Sequence, residues 1–277
     1  MTVPTPPTPP VPPPPPPPSA APVVHPRPMG VATGTNSLPG AGPVFAALFK
    51  LFLRTTATRG RLLAIGALTG LSLISALLAR IAAPPDPLDA GLSYAVANIT
   101  TLLPVAALVF GAGSIGDLID DGSLVYVWLR PISTRLPVLA AWAATMTIIT
   151  PLVAVPVLIG TAMLSSDADL LTATALALAV GVPSYCALSV MVGIRLRRSL
   201  PWGLAYILLW EGFVAGAGST AGRLAVRSYL MSILVQMTNQ YIKIGKYTLA
   251  SGLTVPLVAG AMALIYAASR LARTDVP

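Results

Sequence analysis

Charge is scarce in this chain. Only 9% of its 277 residues are Asp, Glu, Lys or Arg, against roughly 25% in an average soluble domain. A soluble domain of this length needs far more charge to cover its surface, so that class is excluded. Cysteine and histidine are nearly absent. The one cysteine, Cys186, lies in an apolar run and has no partner for an intramolecular disulfide. The one histidine, His25, lies in a low-complexity tail. Zinc sites and Cys/His catalysis are therefore unsupported, and no metal site is predicted. There is no His-Glu-x-x-His, and no lysine falls in a long apolar run to serve a Ser–Lys pair. No Gly-x-x-x-x-Gly-Lys-[Ser/Thr] phosphate loop exists either. Gly111-Ala-Gly113-Ser-Ile-Gly116 is glycine-rich, but no lysine follows to reach phosphates, and its glycines read as close-packing positions at a helix end. Aromatics make up only 6%, so the apolar bulk is aliphatic.

What is present is apolar mass: 55% of the residues are hydrophobic. It falls into six runs near the ~20 residues that a bilayer core requires. These are predicted over 62–82, 92–114, 137–163, 170–193, 201–220 and 249–270. The third run is long and contains Pro151 and Pro156, which predicts a kinked span. The fold class is an all-α polytopic membrane protein of about six transmembrane helices. Residues 1–43 differ. About half of the 29 prolines fall in the first 28 residues, including Pro12 to Pro18. That composition favours extended polyproline II and has no core to fold around. It reads as a disordered cytoplasmic tail, or as a docking segment for a proline-reading partner. Residues 44–277 form the transmembrane domain.

Residues 44–56 read as an amphipathic helix lying in the membrane interface. Val44, Phe45, Leu48, Phe49 and Phe52 recur at three- and four-residue spacing, with Lys50 and Arg54 four apart. The alternative is that they are simply the first turns of the next span. The net charge of +8 could suggest nucleic acid, but the basic residues cluster between apolar runs, where membrane orientation needs them. With both termini inside, cytoplasmic segments hold 12 of the 17 basic residues and outer segments five. The bilayer is thus the predicted partner, nucleic acid is not, and the termini are cytoplasmic. Residues 221–247 are basic yet fall outside in this scheme. Their apolar run from Ser228 to Met237 is too short to cross, so it reads as a re-entrant or interfacial helix on the outer face.

The link between the second and third spans holds three of the nine carboxylates: Asp117, Asp120 and Asp121. Asp117 and Asp121 share one face if helical. Gly122, Ser123, a short apolar stretch, Arg130-Pro131 and Arg135 follow. In order and spacing this stretch resembles the signature of the type-2 permease family of ATP-binding-cassette exporters. Leu118 stands where that signature commonly has Glu, and Ser123 where it has Thr. Trp210-Glu211-Gly212 and Arg227-Ser-Tyr-Leu230 resemble two further family segments. The resemblance covers about residues 44–272. It implies a permease half that dimerises, as homo- or heterodimer, and binds a cytoplasmic ABC ATPase subunit. It also implies that the segment from Asp117 to Arg135 is a coupling helix, and that the interfacial helix (Phe45, Leu48, Lys50, Phe52, Arg54) helps to transmit motion. The chain would carry no cofactor and no catalytic residue, with ATP and Mg²⁺ on the partner, in a bacterial inner or plasma membrane.

Glu211 is the one carboxylate deep in a predicted span, where a charge costs roughly 2.5–3.5 kcal/mol. It reads as a gating residue or as a buried hydrogen bond that orders its helix, with Asn98, Thr100 and Thr101 as polar partners. Gly66/Gly70 and Gly212/Gly216 carry the spacing of close helix packing, within one subunit or across a dimer. An ATPase-independent transporter or channel is the alternative function. It would want ionisable residues in several spans, or internal repeats.

Overall fold

The computed structural model describes residues 41–120, 133–196, 199–205, 225–238 and 247–273, the side chains at 119, 120 and 199–201 excepted. The chain divides into 1–38 and 39–277, and every described residue belongs to the second unit. Among the described residues there are helices and no strands. In order they are α1 (Ala41–Thr56), α2 (Arg59–Ile81), α3 (Pro87–Ala97), α4 (Leu103–Asp120), α5 (Arg135–Ile149), α6 (Val155–Leu164), α7 (Ala168–Arg195), α8 (Ser199–Ala205), α9 (Val226–Thr238) and α10 (Leu249–Ala272). Two π-helical turns, Asn98–Leu102 and Thr150–Ala154, join α3 to α4 and α5 to α6.

Five continuous helices are long and apolar enough to cross a membrane: Arg59–Ile81, Pro87–Leu118, Arg135–Leu164, Ala168–Arg195 and Leu249–Ala272. They fit a multi-pass membrane protein and match five of the six predicted runs. The remaining run, 201–220, is described only over its first residues, within α8. Where a kink was predicted, at Pro151, the span carries the second π-turn. Pro151 has no N–H for the carbonyl of Thr147, and the backbone closes a wider turn instead, with the Val155 N–H donating to Thr150 O. The hydroxyls of Thr145, Thr161, Thr174 and Ser184 donate to the carbonyl four residues back, which meets their polarity within the apolar interior, whereas the buried Thr69 hydroxyl has no partner among the described residues.

Helix ends have local causes. Asp86 caps α3, its carboxylate accepting from the N–H of Leu88 and Asp89, and Pro87 opens the helix. Asp167 caps α7 by accepting from Leu170 N–H. After α2, Ala83 takes the left-handed conformation (φ 48°) with its N–H on Arg80 O, a position where helices commonly place glycine, and Pro84 prevents continuation.

The main core joins the second, third and fourth spans with α9. Ile99, Leu103, Phe110, Ile149, Cys186, Leu230 and Ile233 are fully buried there. Helix α9 packs on α7 and α10. A Cβ at Gly181, midway along α7, would meet Leu103 and Leu230 at 3.0 Å. The first turn of α9 is tied to the residues just before α10 by stacked Tyr229 and Tyr247 rings, 4.7 Å apart. Helices α2 and α10 lie at the periphery, exposing Leu63, Leu71, Leu78 and Ile81 on one and Val258, Met262 and Ile265 on the other.

The two ends of the bundle differ in charge. Leu271 joins Leu48, Phe52, Ile115 and Val138 in a second core cluster, which places the end of α10 beside α1, the end of α4 and the start of α5. That end carries Lys50, Arg54, Arg59, Arg61, Arg135, Arg195, Arg270 and Arg273. The opposite end carries Asp86, Asp89, Asp167 and Asp169, with Arg80 donating to Met163 O.

Candidate functional site

Two polar constellations stand out from the apolar bundle. The first is at the basic end. Arg61, in the first turn of α2, reaches Asp117 near the end of α4, with Nη2 2.7 Å from Oδ2. The guanidinium lies over Gly113, where a Cβ would stand 2.5 Å from Nη1 and 2.7 Å from Cζ. Only glycine leaves that room. The pair is asymmetric: the Arg61 side chain is 18% exposed and that of Asp117 48%. Arg61 Nη1 is buried and has no hydrogen-bond partner among the described residues.

Helix α1 completes this end. It is a helix in its own right, separated from α2 by Ala57 and Thr58, rather than the first turns of a span. It packs on α5 and, less extensively, on α4. Leu48 and Phe52 are buried in the second core cluster, and the Phe45 and Phe49 rings stack at 6.4 Å. Lys50 and Arg54 are exposed on the opposite side. Arg135 is exposed at the first position of α5. The two flanks of the 117–135 segment are thus both held: Asp117 by Arg61, and α5 by α1.

Of the other residues the sequence singled out at this end, Asp120 closes α4, and its side chain lies outside the described residues. Asp121, Gly122, Arg130 and Pro131 also lie outside them, as do Glu211, Gly212 and Gly216.

The second constellation lies between α2 and the first π-turn. Ser72 Oγ stands 2.6 Å from Asn98 Oδ1 and 3.0 Å from Tyr94 OH. A serine hydroxyl has one proton. If Ser72 donates to Asn98, the Tyr94 hydroxyl donates to Ser72. The Asn98 amide donates to Tyr94 O at 2.8 Å. The Tyr94 ring sits against Gly160 of α6, which has no side chain to obstruct it. These groups floor an open groove of about 650 Å³, walled by Leu68, Leu71, Leu102 and Val105. Asn98, expected as a partner for Glu211, is paired here with Ser72 and Tyr94.

Among the predicted packing glycines, Gly66 has only an ordinary contact, its would-be Cβ 3.9 Å from Leu152. Gly70 has nothing within 4 Å. The close approaches are elsewhere. A Cβ at Gly111 would meet Ser189 Cβ at 2.7 Å, and one at Gly193 would overlap the Ala112 backbone, which brings α4 and α7 into backbone contact. Sequence reasoning missed the roles of Arg61, Ser72, Tyr94 and Gly160. Tyr94 and Asn98 do stand four apart on one helical face, but nothing in sequence tied them to Ser72.

The chain matches no protein-family model and no curated protein.

Proposed function

We propose that this chain is the membrane-spanning permease subunit of an ATP-binding-cassette exporter, moving substrate by alternating access while a separate subunit hydrolyses ATP. The observation that carries the reading is the tethering at the basic end. The segment whose residue order resembles the coupling element runs between two anchors, and both lie at the basic end of the bundle. Asp117 is joined to α2 through Arg61, and α5 to α1 through the Leu48–Phe52 core. A displacement delivered to that segment would pass at once to four helices.

The rest of the reading follows from orientation. The basic end faces the cytoplasm, as the distribution of arginine favours, with both termini inside and α1 along the inner interface. Leu196 and Leu249 lie at opposite ends of the bundle, so the chain between them connects one end to the other. A sixth span over 201–220 does this, and α9 is then a re-entrant helix entering from the outer side. ATP and Mg²⁺ bind the partner ATPase, and a second permease subunit completes the pathway.

The test is association. Affinity-tagged full-length chain, purified from its native membranes in mild detergent, is expected to bring a soluble ATPase with it. Asp121→Arg combined with Arg130→Glu is expected to reduce that ATPase at least tenfold while the permease remains folded. Undiminished association would sink the coupling assignment. Ion-gradient-driven transport by the chain alone in liposomes would favour the ATPase-independent alternative.

A further inference from the structure

The groove between α2 and the first π-turn has a chemistry of its own. Ser72 lies near the middle of α2, and Asn98 lies a comparable distance into its span. Each is roughly 15 Å of helix rise from the acidic end, against a hydrocarbon core of about 30 Å. The polar floor is therefore at membrane depth. It opens sideways, past the exposed Leu68 and Leu71, onto the apolar outer face of α2. Among the described residues no charged one lines it. Its volume of about 650 Å³ is that of a small-molecule site.

The floor has donors to spare. Asn98 uses one amide proton on Tyr94 O and has a second. Thr101 is exposed on the groove. Its neighbour Thr100 returns its hydroxyl to Val96 O, whereas Thr101 makes no hydrogen bond to a described residue. Asn98 and Thr101 belong to one π-turn, closed by Leu103 N–H on Asn98 O, and both line the groove. A donor left unmet in hydrocarbon costs several kcal/mol, so an acceptor that enters the groove would be held by these groups.

We propose that this groove is a lateral binding site for a long apolar molecule bearing a neutral ester or carbonyl acceptor, entering from the bilayer. The acyl chain lies along Leu68, Leu71, Leu102 and Val105, and the acceptor oxygen takes the free Asn98 and Thr101 donors. No cation lines the groove among the described residues, so an anionic group finds no partner in them. The inference rests on the membrane placement of the bundle and not on the exporter reading. It would stand if the ATPase association failed.

The test is photolabelling of the full chain in nanodiscs. Two probes are used: a diacyl phospholipid with a diazirine in one acyl chain, and a long-chain fatty-acid methyl ester with the same group. Labelling is mapped by peptide mass spectrometry. Residues 68–75 and 97–105 are expected to label at least fivefold above the exposed face of α10 around Met262. Thr101→Val and Asn98→Leu are expected to remove most of that excess and leave α10 labelling unchanged. Labelling by the phospholipid alone identifies a resident bilayer lipid, labelling by the ester identifies a free hydrophobe, and either supports the site. Groove labelling no greater than that of α10, or unchanged in both variants, would overturn it. Should Asn98→Leu fail to fold, Thr101→Val, at an exposed position, still decides. Cys186 is buried, so Ser75→Cys places a single accessible thiol on the rim. Rapid disulfide formation between two copies at that thiol would also overturn the proposal, since a second chain would then cover the groove.

Discussion

At the residue scale, Arg61 and Asp117 are unequal partners. Asp117 is half-exposed and can be solvated without Arg61. Arg61 is largely buried over Gly113, with one nitrogen already unpartnered, and depends on Asp117 for its only ion pair among the described residues. Breaking a pair costs most when the more buried charge is the one left behind. Asp117→Asn is therefore expected to destabilise the purified protein by about 1–2 kcal/mol. Arg61→Gln, which leaves a solvated carboxylate, is expected to cost less than about 1 kcal/mol. Thermal unfolding in detergent measures both. The reverse ranking would mean that Arg61 stabilises through its aliphatic stem rather than through the pair. This asymmetry is invisible in sequence. There, Arg61 is one of several basic residues after α1, and only the fold brings it onto a carboxylate 56 positions away.

At the scale of elements, glycines with similar sequence settings do opposite things. Gly66 and Gly70 have the spacing of a packing motif, yet the outer side of α2 leaves Gly70 in open space. Gly160 has no such motif and carries the Tyr94 ring. Gly160→Val is expected to cost roughly 1–3 kcal/mol through overpacking. Gly70→Val is expected to leave the unfolding temperature of the single chain unchanged. Any effect it has on oligomeric state, read by crosslinking, reports a partner on that face. Five spans were legible because their length and apolarity are local properties, and α1 because its apolar residues keep helical spacing up to Thr56. A departure from regular α-helix at Pro151 was legible for the same reason, since proline removes a donor wherever it sits. The first π-turn was missed, although Pro104, two residues beyond Leu102, removes the donor that would meet Thr100 O. The groove was unreadable too, since it joins Ser72 to residues 22 and 26 positions away.

At the scale of the whole molecule, the separation of charge is the organising fact. Basic residues from α1, α2, α5, α7 and α10 gather at one end, and four aspartates gather at the other. Such an arrangement gives a bundle with aliphatic walls a fixed orientation. It also puts both flanks of the 117–135 segment, Asp117 and Arg135, at the basic end. The most direct test of the proposed function is ATP hydrolysis by material purified on the tagged full-length chain from its native membranes. Vanadate-sensitive ATPase activity is expected, carried by a second chain present in near-stoichiometric amount and lost in the Asp121→Arg/Arg130→Glu variant. A stable permease that never carries an ATPase, and that moves substrate on an ion gradient alone, would contradict it.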